Sequence, residues 1–151
     1  MILRRTMVLA PLVLLARCGS SPPPPPVLVL TIEAGPDQNP DPGGHAEPVA
    51  IRVYQLASLG AFSRADVFAL IDRQAETLGA DYLASDEILV APGERQKMTR
   101  DLKPNTRFIG AIALFRTIDQ ATWRVDVPAA TNGPTPLTLA THGVQLSAST
   151  K

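Results

Sequence analysis

Side chains able to make or break bonds are few in this chain of 151 residues. Its two histidines, His45 and His142, are the side chains that ordinarily titrate near neutral pH, and Cys18 is its one thiol. A nucleophile needs a base within reach to activate it. His45 lies among prolines and glycines, His142 stands directly before Gly143, and neither has a motif neighbour. Both read as solvated turn histidines. Asp86 and Glu87 are adjacent, so in a strand they would point to opposite faces and make a poor acid/base pair. Asp37 and Asp41 sit in a run of oxygen-bearing residues, which raises calcium as an option. Their spacing departs from the EF-hand loop, and prolines fill ligand positions. A single cysteine excludes an internal disulfide and a cysteine-based zinc site. No glycine-rich phosphate loop is present. The sequence implies no catalytic residue, no metal and no cofactor.

Composition narrows the classes further. Fourteen basic residues balance 14 acidic ones, which argues against a nucleic-acid binder with a basic face. Hydrophobic residues make up 45% and charged ones 19%, which fits one folded domain rather than a disordered tail or a polytopic membrane protein. Fifteen prolines and ten glycines favour short strands joined by turns.

The first residues read as an address. Arg4 and Arg5 precede an apolar run from Met7 to Ala16, too short to span a bilayer but suited to the core of a secretory signal. Leu15-Ala16-Arg17-Cys18 resembles a bacterial lipobox, with Arg17 where a small residue is usual. Residues 1–17 are thus expected to be a signal peptide and Cys18 a lipidated cysteine. Acyl chains there would anchor the chain, at about 0.8 kcal/mol per buried methylene. Loss of residues 1–17 removes three of the 14 basic residues, leaving 11 against 14 acidic. Gly19 takes the place where an aspartate signals inner-membrane retention in bacterial lipoproteins, so the outer membrane is expected. Pro22 to Pro26 would form a stiff polyproline spacer of roughly 15 Å, making residues 18–26 the tether.

Residues 27–151 read mainly as strands. Val27 to Glu33 alternates, as do Val49 to Leu56, and each suits a half-buried strand. Residues 58–85 change to a helical period. Ser63 is expected as the N-cap, Asp66 as its capping-box partner, and Phe62 with Val67 as a staple. A second short helix is expected over residues 75–83. Strands resume at 87–91 and 95–102, with Pro92-Gly93 as the turn between them. Residues 107–116 are apolar on both faces and suit a central strand. Residues 121–127 follow, with Trp123 inward and Arg124 outward, then a closing hairpin from Leu137 to Ser147. The pattern predicts an all-β fold: a two-sheet sandwich of about eight strands with a small helical insertion. Between the first two strands lies an excess loop from Gly35 to Pro48, with four prolines and three glycines. Hairpin loops need only two to five residues, and a long, proline-stiffened loop is often functional.

At this point the chain resembles the outer-membrane lipoproteins of type VI secretion systems, the TssJ, SciN and VasD family. The carrying residues are the strand Val27 to Ala34, Asn39-Pro40-Asp41, the strand Pro48 to Leu56, Phe62, Asp66-Val67-Phe68, Leu70, Pro92-Gly93-Glu94 and Trp123-Arg124. The resemblance implies a transthyretin-like sandwich that is not an enzyme. It implies lipid anchoring through Cys18 at the periplasmic face of the outer membrane. Its implied partner is the periplasmic C-terminal domain of TssM, in a complex that also holds TssL. In the family the loop between the first two strands takes part in that contact. Here this places Asp37, Gln38, Asn39, Pro40, Asp41 and Pro42 at the partner. The rival reading is an unrelated lipid-anchored periplasmic sandwich that binds peptide or glycan.

Overall fold

A computed structural model describes residues 19–151. The expected signal peptide, residues 1–17, and Cys18 therefore lie outside the described residues. Eight strands run in order: β1 (Val27–Ala34), β2 (Val49–Leu56), β3 (Tyr82–Val90), β4 (Arg95–Asp101), β5 (Phe108–Ala113), β6 (Arg124–Pro128), β7 (Pro134–His142) and β8 (Gln145–Ser149). They form two four-stranded sheets, ordered β4-β1-β7-β8 and β3-β2-β5-β6. This is the mainly-β, two-sheet fold that the alternation implied.

Alternation explains the inner layer. Leu28, Leu30 and Ile32 of β1 face Val49, Ile51 and Val53 of β2 across the sandwich, joined by Val90, Ile109, Leu137 and Leu139. All are buried. Strand β1 sits inside its sheet, antiparallel to β4 and parallel to β7 along its whole length. One side of the sandwich is zipped by backbone: Thr122 bridges Gln145, its N–H donates to the Val144 carbonyl, and its carbonyl accepts from Leu146. The other side is pinned by side chains, with Arg100 on β4 bonded to Asp86 on β3 at 3.2 Å. Gln96 Nε2 donates there to the Leu89 carbonyl at 3.1 Å.

The central strands of the second sheet, β2 and β5, are largely buried on both faces because three short helices cover its outside: α1 (Gly60–Arg64), α2 (Val67–Asp72) and α3 (Gln74–Leu78). A second apolar cluster forms there from Tyr54, Leu56, Phe62, Leu70, Leu78 and Ile112. The Phe62 ring lies flat against Gly110, where a Cβ would sit 2.7 Å from the ring edge. Two arginines on this sheet clamp the ends of helices. Arg52 of β2 donates to the Leu70 and Ile71 carbonyls of α2 at 3.1 and 3.0 Å. Arg124 of β6 donates to the Phe62 and Ala65 carbonyls at 2.8 and 2.6 Å. A cation at the carbonyl end satisfies orphan acceptors and complements the helix dipole.

The helical segment departs from expectation in detail. Ser63 lies inside α1, and Asp66 is itself the N-cap of α2, its carboxylate accepting the Ala69 N–H at 3.0 Å. Ala65 is extended at ψ 144°, so the chain breaks between two helices where a single one was expected. The Phe62–Val67 staple is replaced by burial of Phe62 against the sheet. Strand β3 begins at Tyr82, because its early residues pair with Leu56 and Gln55 of β2. Trp123 faces inward as expected but is only half-buried, packed at the edge of both apolar clusters, and the Arg124 guanidinium lies 4.5 Å from its ring centre.

Candidate functional site

Strand β1 delivers the chain into the loop of residues 35–48, which closes one end of the sandwich. Two side chains hold it there. Gln38 is fully buried. Its Nε2 donates to the Val90 carbonyl of β3 at 2.9 Å, and its Oε1 accepts from the Thr141 hydroxyl of β7. One residue thereby bolts the loop to both sheets. Asn39 ties it to its own far end and to two further segments. Its Nδ2 donates to the Pro48 carbonyl at 2.8 Å, its Oδ1 accepts the Arg116 N–H at 2.7 Å, and its backbone N–H donates to Gly143 at 2.7 Å. Asn39 has φ 48°, a left-handed conformation that asparagine tolerates better than most residues. The following Pro40 disfavours the right-handed helical alternative. Gly35 enters this corner so close to the Thr141 carbonyl that a Cβ would sit 2.4 Å from its oxygen.

The rim of the loop faces water. Asp37 pairs with His142 of β7, Oδ2 to Nδ1 at 2.9 Å. Asp41 accepts the His45 backbone N–H at 2.8 Å and lies 3.3 Å from that imidazole. That backbone N–H, first among several donors, holds the Asp41 carboxyl below the usual carboxylate range. Pro36, Pro42, Gly43, Gly44 and His45 are exposed. Of the six residues read as partner contacts, Asp37, Pro40, Asp41 and Pro42 sit on this rim. Gln38 and Asn39 do not: their side chains are buried and spent on internal hydrogen bonds, so they position the rim and are not free to touch a partner. The Asp37–His142 pairing escaped the sequence reading because the two residues stand 105 residues apart.

Each histidine bonds an aspartate, as in a triad, but among the described residues no hydroxyl or thiol is hydrogen-bonded to either ring. Asp86 and Glu87 are occupied by Arg100 and Arg52. Among the described residues no three His, Cys, Asp or Glu side chains gather as a metal site. No helix among them is long and apolar enough to cross a membrane. Beside the loop runs an apolar groove of about 180 Å³ between α2 and residues 114–118, lined by Val67, Phe68, Ile71, Phe115 and Arg116. It adjoins the loop through the Arg116–Asn39 bond, and Phe68 there is 62% exposed.

Known proteins share this fold. The profile of the type VI secretion lipoproteins VasD, EvfM and TssJ matches residues 26–147. The lipoprotein TssJ1 of Pseudomonas aeruginosa superposes with a TM-score of 0.81 at 35% identity, over 85% of this chain and 98% of that one. Lip of Serratia marcescens, a membrane-bound component of the type VI secretion system, superposes with a TM-score of 0.75 at 28% identity, over 84% and 98%. A chain in a structure of the TssM C-terminal domain from EAEC gives a TM-score of 0.70 at 30% identity, over 81% and 99%. No curated protein sequence matches. The family consists of structural secretion components rather than enzymes. With its two-sheet sandwich, helical layer and bolted loop, this chain belongs to the type VI secretion lipoprotein family.

Proposed function

We propose that this chain is a fastener: lipid at Cys18 holds it to the periplasmic face of the outer membrane, and the rim of the 35–48 loop grips the periplasmic C-terminal domain of a TssM-like protein. Through that partner it joins the complex that also contains TssL. Family membership supports the lipid anchor, and the likeness to a chain in a structure of the TssM C-terminal domain supports the partner.

One observation carries the reading. The tether enters β1 at Val27 and the loop leaves it at Ala34, so the two attachments sit at opposite ends of one strand. Eight residues of strand span roughly 25 Å. A pull between membrane and partner runs along β1, which is paired on both sides, so the ladders with β4 and β7 bear the load together. The loop keeps its shape under Gln38 and Asn39, which lowers the entropy lost when a partner docks. Several copies in one assembly would turn modest single contacts into durable attachment.

The test is calorimetric titration of the TssM periplasmic domain into the chain. Replacing Asp37 and Asp41 together by Ala is expected to weaken binding at least tenfold while the melting temperature stays within a few degrees. Unchanged affinity moves the contact away from this rim. Replacing Cys18 by Ser is expected to leave binding intact and release the chain from the membrane fraction.

A further inference from the structure

The opposite end of the sandwich is also built, and we propose that it forms a docking site for the phosphate of an anionic phospholipid in the leaflet that holds the anchor. This rests on lipid attachment at Cys18. The last prolines of the spacer belong to the folded unit. The Pro24 carbonyl accepts the Gly133 N–H and the Pro26 carbonyl accepts the Leu102 N–H, both at 3.1 Å. Only residues 18–23 remain as leash, roughly 19 Å when extended as polyproline. So short a leash confines the tether end of the sandwich to the neighbourhood of the headgroups.

At that end lies a groove of about 310 Å³, between the turn of residues 102–107 and the loop of residues 129–133. Its lining includes Pro26, Lys103, Asn105, Thr106, Arg107 and Thr131, and no carboxylate. Lys103 and Arg107 are exposed, and neither pairs with a carboxylate among the described residues. The turn that carries them is fixed from beneath. Gln55, buried on β2, accepts the Lys103 N–H at 2.7 Å and the Thr106 hydroxyl at 3.2 Å. It also donates to the Asp101 carbonyl at 3.1 Å. The facing wall is braced by the Thr135 hydroxyl, which accepts the Ala130 N–H at 2.8 Å. Two cations on a braced turn, beside a hydroxyl and an amide and at the exit of the tether, match an anionic phosphodiester. Each cation near an anionic surface adds about fivefold to apparent affinity.

The experiment uses the full lipidated chain in vesicles of phosphatidylethanolamine with phosphatidylglycerol, against vesicles of phosphatidylcholine alone, read by hydrogen exchange. Flotation of the wild type with both vesicle types comes first; failure to float overturns the anchor reading itself. In floated samples, amides of residues 103, 105–107 and 130–132 are expected to exchange at least tenfold more slowly on anionic vesicles. Lys103→Ala with Arg107→Ala should abolish that difference while flotation and melting temperature hold. Equal exchange on both vesicles, or protection that survives the double substitution, overturns the docking site and leaves the anchor standing. Inorganic phosphate at 10 mM, added on phosphatidylcholine vesicles, is the control. Full protection by phosphate alone overturns the lipid assignment, since the groove would then serve a free anion.

Discussion

The chain leaves its sandwich at length twice, over residues 35–48 between β1 and β2 and over residues 57–81 between β2 and β3. The second excursion is apolar. It buries Phe62, Leu70 and Leu78 against Tyr54 and Ile112, and Arg52 and Arg124 tie its helix ends to the sheet. The first excursion has no helix or strand, and its two buried side chains are both amides. Hydrophobic burial is non-directional, so the helical layer tolerates small shifts. Hydrogen bonds fix distances and angles, so Gln38 and Asn39 hold one loop shape. The polar excursion therefore presents a defined rim, whereas the apolar one thickens the core.

If this contrast is right, the largest loss comes from the apolar side. Phe62→Ala is expected to cost about 3–5 kcal/mol, because it empties the space between Gly110 and Tyr54. Urea unfolding measures it. The same variant should keep its affinity for the TssM domain, since the loop's buried side chains bond to β3, β7 and Arg116 rather than to α1. A loss below 1 kcal/mol would mean that the helical layer is an ornament on the sheet rather than part of its core.

On the polar side, Asn39→Ala is expected to cost about 2–4 kcal/mol. It leaves the Arg116 N–H and the Pro48 carbonyl without their partner, and it puts alanine at a positive φ. Here stability and partner affinity should fall together, the opposite of the Phe62 result. Nuclear magnetic resonance of the loop amides in the folded fraction separates the two losses: displaced signals from residues 36–47 are expected for Asn39→Ala and unmoved ones for Phe62→Ala. A folded Asn39→Ala chain with unchanged loop signals and full affinity would break the claim that this amide shapes the rim.

The two excursions also differ in how far the sequence disclosed them. Strand alternation at residues 27–33 and 49–56 revealed the sandwich, because a period of two survives any packing partner. The helical period was visible too, but its break was not: Asp66 caps α2 where Ala65 is extended, while Phe62 ahead of it packs on Gly110, a contact with a residue 48 positions away. In the loop, composition marked an unusual segment and the family resemblance pointed to its role. Neither separates Gln38 and Asn39 from their neighbours. Amides and aspartates look alike as polar loop residues until the strand ends converge. Val90, Thr141 and Arg116 are distant in sequence from the loop they hold.

The smallest expected effect lies on the rim itself. The Asp41 carboxylate accepts the His45 N–H, and this bond, foremost among several donors, lowers its pKa from the ordinary value. A lowered pKa in the folded state means the charged form is the one the fold prefers. The contribution is therefore complete above the ordinary carboxylate value and fades as pH falls through the lowered one. Titrating the His45 amide nitrogen shift from pH 7 downward should show an inflection below the ordinary carboxylate value, and Asp41→Asn should remove it. The buried amides of Gln38 and Asn39 do not titrate, so any acid-range change at Thr141, which neighbours the Asp37–His142 pair, should persist in Asp41→Asn. An inflection at or above the ordinary value, or one at Thr141 that Asp41→Asn also removes, would mean that the loop moves as a body and that its rim is not fixed independently of its tip.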